Sequence, residues 1–198
     1  MTFPKRCFDV VASAAGVALL SPLFAVIATA IKLQDGGPVF FRQERVGLGG
    51  KTFRLWKFRS MSPDSRRDGP LLTRSGDPRI TRVGLRLRKY KLDELPQLFN
   101  VIAGEMSLVG PRPEVERYVS RYDDHQRTVL NLVPGITDPA SLEYRNEEEV
   151  LASVPDPEAH YVSVVMPRKI EMNLEYARTA TFWSDLRVVA RTLRAVVA

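Results

Sequence analysis

The sequence predicts a helix-rich α/β fold in which an apolar N-terminal helical segment precedes a small domain of short strands and amphipathic helices. Three observations support this prediction. Residues 10–31 carry no charge, residues 39–41 and 51–61 contain closely spaced aromatic side chains, and apolar residues recur at helical spacing beyond residue 95. At 198 residues the chain is long enough for one domain with a core of its own.

The N-terminal apolar segment is long enough to cross a membrane. Its 22 uncharged residues would form a helix of about 33 Å, and the hydrocarbon core of a bilayer is about 30 Å thick. A cleaved signal peptide fits poorly, because the run is too long and Lys32-Leu33-Gln34-Asp35 follows where small residues would be expected. We therefore predict a membrane segment within residues 1–34 and a second domain over residues 35–198.

Two features favour a hairpin that enters and leaves the membrane on one side. Ser21-Pro22 lies at the centre of the run, and a proline there removes a helical hydrogen bond and favours a kink. Cations flank both ends, whereas a spanning helix usually has its cation excess on the cytoplasmic side alone. Spanning helices nevertheless tolerate a central proline, so the residues alone leave both arrangements open. The flanking cations are Lys5, Arg6, Lys32, Arg42 and Arg45.

The rest of the chain predicts short elements. Turn residues at 35–38 precede a strand at 39–41, and residues 51–61 alternate apolar and cationic side chains as a second strand. The polar segment 62–77 predicts a mobile loop, which is a candidate lid. A buried strand is predicted at 106–109, and helices are predicted at 79–90, 95–102, 114–132, 146–154 and from 158 onward, with breaks near 167 and 179–181.

The last predicted helix, residues 182–197, is amphipathic and basic. It places Trp183 and other apolar residues on one side and Arg187, Arg191 and Arg194 largely on another. Such a helix can lie in the plane of a membrane, and it can equally close an ordinary core. Taken by itself the helix favours the core interpretation, whereas the apolar N-terminal segment favours the membrane.

Positive charge is concentrated in one part of the chain. Lys and Arg outnumber Asp and Glu by 29 to 23, and residues 51–91 hold thirteen of these cations against three acids. Such a segment attracts anions, which include nucleic acid, anionic lipid and phosphorylated substrates. The single cysteine, Cys7, excludes an intrachain disulfide and a cysteine-rich metal site. His125 and His160 are isolated in the sequence, and we assign a catalytic role to neither.

Two adjacent carboxylates, Asp93 and Glu94, directly follow this basic segment. Asp93 suits the N-cap of a helix that continues through Pro96, and for a lone aspartate a cap is the simpler interpretation. Glu94 doubles the carboxylate, as oxygen sites for divalent cations commonly do. A helix N-terminus also favours bound phosphate and keeps a carboxylate ionised. An ionised Asp93 beside a metal and a phosphoanhydride is therefore a credible nucleophile.

Several ordered motifs resemble those of one family. Lys5-Arg6-x-Phe8-Asp9, Ser21-Pro22, GPVFFRQERVG, LWKFRSM, LDELPQLFNVIAGEMSLVGPRP and PGIT are similar to motifs of the bacterial sugar transferases, which are small monotopic phosphoglycosyl transferases. The similarity runs from about residue 5 to residue 137 and resumes weakly around Asp185-Leu186. Motifs of this length and order are specific to the family.

The resemblance implies a fold, a reaction and a location. The fold would be a re-entrant membrane helix-break-helix, broken at Ser21 and Pro22, joined to a small cytoplasmic α/β domain with further helices at the membrane interface. The reaction would move a phosphosugar from a UDP-sugar to undecaprenyl phosphate with Mg²⁺, as the first membrane step of glycan assembly. The location would be the cytoplasmic face of the bacterial inner membrane. The partners would be membrane lipid and the two substrates, with no nucleic acid, and a homodimer is left open.

The same resemblance assigns roles to individual residues. Asp93 would form a covalent phosphosugar intermediate with release of UMP, and Glu94 would help Asp93 to bind the metal. The Pro-Arg-Pro segment, which is Pro111, Arg112 and Pro113, would meet the nucleotide. The cations in positions to meet phosphates would be Lys57, Arg59, Arg88 and Arg145.

The chain departs from the family pattern at three places. Residues 138–145, DPASLEYR, stand where many members have Gly-Trp-Ala-Gln-Val-Asn-Gly-Arg, and Arg145 alone is retained. Val133 stands where an arginine usually precedes Pro-Gly, and Asn173 stands where an aspartate is common. These changes leave the transfer chemistry intact and bear on which sugar is carried.

A second class of function also fits the charge pattern. A non-catalytic, membrane-tethered protein could bind nucleic acid or anionic lipid through the basic segment. Asp93 and Glu94 would then form a simple cap, and residues 111–113 would be an ordinary loop. Electrostatic binding requires no carboxylate pair at a helix start, so the motifs favour the enzyme. Release of UMP from a UDP-sugar distinguishes the two.

Overall fold

A computed structural model describes residues 2–62 and 76–197, and it confirms a helix-rich α/β fold with a long apolar N-terminal helix. The described strands form two small sheets of two strands each. They are β1 (Phe40–Val46), β2 (Thr52–Phe58), β3 (Ser107–Val109) and β4 (Gly135–Thr137). The helices are α1 (Phe3–Asp35), α2 (Arg82–Lys89), α3 (Gln97–Ala103), α4 (Glu116–Val119), α5 (Asp124–Arg127), α6 (Pro139–Glu143), α7 (Glu147–Ala152), α8 (Pro157–His160), α9 (Met166–Thr179) and α10 (Phe182–Val197).

Helix α1 continues through Pro22 as a single helix of 33 residues. Pro22 has no N–H to donate to the carbonyl of Ala18, four residues earlier. The Ser21 hydroxyl takes that place and donates to the Ala18 carbonyl oxygen at 2.9 Å. This carbonyl therefore keeps a hydrogen bond at the proline. The structure describes one helix here, and the re-entrant break predicted at Ser21 and Pro22 is not shown.

One face of α1 packs on the rest of the chain along its whole length. Near its start, buried Asp9 accepts a hydrogen bond from the Ser107 hydroxyl at 2.7 Å. Near its end, Ile27 and Ile31 are 5% and 2% exposed and share a buried cluster with Phe58 of β2. Both ends of α1 are thus attached to the same domain.

The opposite face of α1 is apolar and uncovered. By length and composition α1 is the one helix among the described residues that could cross a membrane. Its apolar side chains on this face are between 65% and 82% exposed, an arrangement that suggests membrane association. They are Phe3, Val11, Leu19, Val26 and Leu33.

Strands β1 and β2 form an antiparallel hairpin over residues 40–46 and 52–58. Asn100 of α3 joins this hairpin to the helix. Its side-chain oxygen accepts from the Trp56 N–H at 3.0 Å, and its side-chain nitrogen donates to the Arg54 carbonyl at 2.9 Å. These two bonds fix β2 relative to the chain segment that contains the carboxylate pair.

Strands β3 and β4 pair in parallel and bring together two motifs that are far apart in the sequence. The Gly110 N–H donates to the Thr137 carbonyl at 3.0 Å, and the Gly135 N–H donates to the Pro111 carbonyl at 3.0 Å. A β-carbon on Gly135 would lie 2.1 Å from the Gly110 nitrogen, so the approach requires glycine. The pairing therefore holds the start of the Pro-Arg-Pro segment.

The predicted single helix over residues 114–132 is wrong. The chain instead forms α4, α5 and a 3₁₀ turn at Thr128–Asn131. Asp123 accounts for the division, because it begins α5 with a capping box in which it and Gln126 bond each other's backbone N–H. Such a cap starts a new helix and prevents the previous one from continuing.

Helix α10 turns a partly polar side toward the domain. Asp185 and Val188 are buried, and the Thr192 hydroxyl lies 2.6 Å from that of Thr137. Trp183 and Leu193, on the predicted apolar side, are 69% and 63% exposed. Much of the apolar side is therefore open, and a position at the membrane interface stays a prediction.

The other predicted elements have mixed outcomes. The break at residues 179–181 is confirmed between α9 and α10. Near Pro167 the helix changes type without ending, because Tyr161–Val165 is π-helical and α9 follows directly. The candidate lid at 62–77 lies mostly outside the described residues, which omit 63–75. The domain boundary at residue 34 stays a prediction.

Candidate active site

Asp93 lies in a short 3₁₀ turn, Leu92–Glu94, between α2 and α3. Lys91 precedes the turn with a φ of 52°, a left-handed conformation that is uncommon for a residue with a side chain. The predicted N-cap role of Asp93 is wrong, because neither the turn nor α3 has a side-chain cap. The turn instead buries Asp93 to 5% exposure and leaves its Oδ1 without a hydrogen-bond partner.

Glu94 is held by two cations from distant parts of the chain. The Arg112 guanidinium donates to both carboxylate oxygens, with Nη1 2.9 Å from Oε2. The Lys57 ammonium donates to Oε1 at 3.1 Å. Arg112 follows β3 and Lys57 lies on β2, so Glu94 joins three elements at one point.

The two carboxylates have opposite pKa shifts. Burial alone would raise the pKa of Glu94, but the charges of Arg112 and Lys57 outweigh it and hold that pKa well below its ordinary value. Burial, followed by the charge of Glu94, raises the pKa of Asp93 despite the nearby cations. Asp93 is therefore a poorly solvated carboxyl group beside Glu94, which is ionised at neutral pH. A pair of acids shifted apart in this way is typical of reactive sites.

The pKa values of Lys57 and Arg112, the two cations that contact Glu94, are also shifted. Burial lowers the pKa of Lys57, and the charge of Glu94 offsets part of that shift. The charge of Glu94 raises the pKa of Arg112. Arg112 also lines a cavity of about 50 Å³ on the side of the Pro-Arg-Pro segment. The site thus combines a buried carboxylate oxygen that has no hydrogen-bond partner with two cations held at the neighbouring Glu94.

The family described as Bacterial sugar transferase matches residues 1–198. The chain belongs to the bacterial sugar transferase family. This confirms the resemblance seen in the motifs.

Individual members of the bacterial sugar transferase family are similar over nearly all of the chain. UDP-N-acetylgalactosamine-undecaprenyl-phosphate N-acetylgalactosaminephosphotransferase of Aeromonas hydrophila is 38% identical over 200 residues, which cover 98% of this chain and 44% of that protein. UDP-glucose:undecaprenyl-phosphate glucose-1-phosphate transferase of Caulobacter vibrioides is 40% identical over 96% of this chain and 68% of its own length. Exopolysaccharide production protein ExoY of Rhizobium meliloti is 35% identical over 97% of this chain and 84% of its own length. The chain thus spans less than half of the Aeromonas relative.

Arg59 of this bacterial sugar transferase is bonded to the end of α1 and to the residues that follow it. Its two terminal nitrogens bind the Asp35 carboxylate, with Nη1 2.7 Å from Oδ2, and its Nε donates to the Pro38 carbonyl at 2.6 Å. The side chain is 3% exposed and anchors the end of α1 to β2. The structure does not bring Arg59 to the site, and its contact with phosphate stays a prediction.

Of the other two predicted cations, Arg88 acts on Asp93 through its charge. Arg88 also pairs with Glu148. Arg145 is exposed in the turn between α6 and α7. Pro111 and Pro113 line the cavity beside Arg112. Contact between these residues and substrate stays a prediction.

Three polar residues next to the Pro-Arg-Pro segment, Arg45, Glu114 and Tyr161, were not predicted from the sequence to belong to the site. Arg45 donates to the Pro113 carbonyl at 3.1 Å, and the Tyr161 hydroxyl donates to the Glu114 carboxylate. Glu114 directly follows Pro113, which is the one local signal that the sequence offers. Their meeting depends on three elements that are far apart in the chain.

The fit of Mg²⁺ depends on Asp93. The part of the chain that the structure describes contains no group of three or more His, Cys, Asp and Glu side chains arranged for a metal ion. Asp93 Oδ1 is nevertheless a buried oxygen with no partner. Mg²⁺ prefers oxygen ligands and often takes one or two carboxylates, with water and substrate phosphates completing its shell. Asp93 therefore fits such a site, and Glu94 as a second ligand stays a prediction.

Proposed function

We propose that the chain transfers a sugar 1-phosphate from a UDP-sugar to undecaprenyl phosphate through a covalent intermediate on Asp93. The buried Asp93 carboxylate, with one free oxygen beside the Glu94, Arg112 and Lys57 cluster, carries this proposal. The names of two relatives support the donor and acceptor classes, because each names a UDP-sugar and undecaprenyl phosphate. The name of a third supports a role in exopolysaccharide production.

The reaction has two half-reactions at the same phosphorus atom. Asp93 attacks the β-phosphorus of the UDP-sugar, and the bond from this phosphorus to the bridging oxygen breaks. UMP leaves with that oxygen and its electron pair, and the sugar phosphate stays on Asp93 as an acyl phosphate. Undecaprenyl phosphate then attacks the same phosphorus, and Asp93 leaves as a carboxylate. Poor solvation makes Asp93 more basic, and therefore more nucleophilic, than an exposed aspartate.

The neighbouring charges stabilise this chemistry. Glu94, next to Asp93 in the chain, holds Arg112 and Lys57, and these cations would offset the negative charge of the phosphoryl oxygens. Asp93 and Glu94 would hold Mg²⁺, which would further neutralise the charge of the diphosphate. Under this proposal neither cation has to be recruited during the reaction, since both already contact Glu94.

UMP release tests the proposal. The purified full chain in detergent is incubated with Mg²⁺ and a panel of UDP-sugars, with and without undecaprenyl phosphate. We expect one UMP per enzyme without the acceptor and continuous release with it, for the sugar that the chain carries. A non-catalytic anion-binding protein would bind the UDP-sugars and release no UMP. Absence of UMP with every UDP-sugar would contradict the proposal.

The proposal includes a re-entrant α1 with both ends on the cytoplasmic side. Attachment of Asp9 and Ile31 to the same domain supports this arrangement, because a straight crossing would separate the two ends of the helix. The uncovered apolar side chains of α1 and of α10 support contact with lipid.

Cysteine labelling should find both ends of α1 inaccessible from outside the cell. Cys7 is exposed near the start of the helix, and Leu33 is 82% exposed near its end. A membrane-impermeant maleimide should label neither the unaltered chain nor the double variant Cys7→Ser, Leu33→Cys in intact cells. Both should react after permeabilisation, which controls for reactivity. Reaction at either end in intact cells would rule out the re-entrant arrangement.

Arg112→Lys should lower kcat/KM for UMP release by the equivalent of about 1–3 kcal/mol, the scale of a charged hydrogen bond. Arg112 binds both oxygens of Glu94 with a planar fork, which an ammonium group cannot reproduce. Arg117→Lys is the matched control, because Arg117 is exposed and donates to Glu158. We expect that variant to be unchanged. Equal kinetics for the two variants would remove Arg112 from the site.

A further inference from the structure

We infer that Glu114, held between Arg45 and Tyr161, is a positioning residue that fixes the Pro-Arg-Pro segment and thereby directs Arg112 at Glu94. The inference rests on the proposed function, since Arg112 matters only if the site reacts. Glu114 and its two partners touch neither Asp93 nor Glu94 through any hydrogen bond that the structure describes. Their effect on the reaction would therefore pass through Arg112.

Glu114 is fastened at both its backbone and its side chain. Its backbone carbonyl accepts from the Val46 N–H at 2.8 Å, which closes an antiparallel bridge to the end of β1. Its Oε1 accepts from the Tyr161 hydroxyl, and its Oε2 accepts from the Val115 N–H at 3.0 Å. Arg45 Nη1 lies 3.6 Å from Oε2. The carboxylate thus connects β1, the loop after β3 and the π-helical segment.

Arg45 attaches the same network to the loop itself. Its Nη1 donates to the Pro113 carbonyl at 3.1 Å, and its Nη2 donates to the Gln43 side chain at 2.8 Å. The Arg45 and Glu114 side chains are 15% and 17% exposed, so their charges are largely withdrawn from water. Such a pair usually contributes little to stability relative to apolar side chains of the same size. The bonds of the Arg45–Glu114 pair therefore serve to position the Pro-Arg-Pro segment.

Tyr161 depends on an unusual piece of helix. It is 3% exposed and begins the π-helical segment Tyr161–Val165, a conformation that is rare and often occurs at functional sites. Burial, followed by the charge of Glu114, raises the pKa of Tyr161 well above its ordinary value. The hydroxyl therefore stays protonated at neutral pH and can donate a hydrogen bond to Glu114.

The loop transmits this placement to Arg112 because it is stiff. Prolines on both sides of Arg112 restrict the backbone, and the Gly135 N–H holds the Pro111 carbonyl at 3.0 Å. The Arg45 bond holds the Pro113 carbonyl at the other end. A cavity of about 50 Å³ borders the loop, so close packing does not fix it on that side. On that side the loop is instead held by the hydrogen bonds of Arg45 and Glu114.

The experiment combines kinetics with hydrogen–deuterium exchange on the full chain in detergent. Tyr161→Phe removes one hydroxyl, and Glu114→Gln removes the charge. We expect kcat/KM for UMP release to fall by about 10-fold and about 100-fold respectively, the scale of a small misplacement of a catalytic group. Peptides containing the Val46 and Gly135 amides, which donate to the Glu114 and Pro111 carbonyls, should exchange faster in both variants. In an Arg112→Lys background, Tyr161→Phe should cost almost nothing further, because the two changes act on one interaction.

Two matched controls separate positioning from general loss of packing. Tyr118→Phe removes a hydroxyl from a ring that packs against Tyr161 at 5.1 Å between centroids, and Glu116→Gln alters an exposed acid two residues from Glu114. Both should leave the kinetics and the exchange unchanged. Two results would overturn the inference. One is a loss in kcat/KM from Tyr161→Phe that adds in full to that of Arg112→Lys, and the other is unchanged hydrogen–deuterium exchange in Tyr161→Phe. An unaltered chain that releases no UMP would instead refute the proposed function, while exchange would still report whether the network holds the loop.

Discussion

Asp93→Asn should abolish UMP release, with a loss in kcat on the order of 10⁴-fold or more, as expected for a missing nucleophile. Asparagine has nearly the same shape but cannot form the acyl phosphate. Mass spectrometry of the unaltered chain, quenched with its UDP-sugar and no acceptor, should show a phosphosugar on the peptide containing Asp93. That mass should be absent in the variant. Full activity in Asp93→Asn, or an adduct on another residue, would overturn the assignment.

The same substitution should make the fold more stable at neutral pH. The folded state raises the pKa of Asp93 above its ordinary value of 3.8, so ionisation of this group costs stability at pH values above that range. Below 3.8 the side chain is protonated in both states, and the cost disappears. We therefore expect Asp93→Asn to raise the Tm at neutral pH and to have little effect in acid. Asp124→Asn, at an exposed position, is the control and should shift the Tm little at either pH.

Glu94→Gln should be nearly as damaging to activity, and it should also weaken the fold. The substitution leaves Arg112 and Lys57 facing a neutral group inside the protein, and loss of one partner of a buried ion pair costs about 3–5 kcal/mol. The low pKa of Glu94 means that this stabilisation is present above its ordinary pKa of 4.5 and is lost as the pH falls through the folded value. Unfolding by denaturant at neutral pH measures the loss.

A second variant separates the two effects of Glu94. Lys57→Met combined with Glu94→Gln removes one of the unpaired charges, so part of the unfolding free energy should return. Activity should not return, because Arg112 still lacks the carboxylate that orients it. Recovery of kcat/KM together with stability would mean that Glu94 acts on the fold alone.

Much of the site could be predicted because the sequence concentrates it in one segment. Asp93, Glu94 and Arg112 lie within twenty residues, and their charges are apparent without a structure. The capping role of Asp93 was wrong because Lys91 takes a left-handed conformation that turns the chain before α3 begins. Lysine has little intrinsic preference for the left-handed conformation, so the surrounding fold must impose it at Lys91.

Where an element ends also limits what the sequence can predict. Lys57 and Arg59 would share one face of a continuous strand, since side chains alternate. Strand β2 ends at Phe58, and Arg59 turns instead to Asp35 at the end of α1. The contact between Glu114 and Tyr161 could not be predicted from the sequence for a related reason. It depends on a π-helical segment, and helical periodicity in the sequence does not distinguish that segment from an α-helix.

The position of α3 connects Asp93 to the middle of α1. The turn that contains Asp93 leads into α3, and Leu98 on that helix lies 3.4 Å from where a β-carbon on Gly16 would be. Phe99 meets Phe24 edge to face, with 6.0 Å between the ring centroids. Under the proposed function, the depth at which α1 rests in lipid therefore sets the height of Asp93 above the bilayer. A lipid phosphate diffusing within the leaflet would arrive at that height by itself, and bilayer thickness would become a determinant of the second half-reaction.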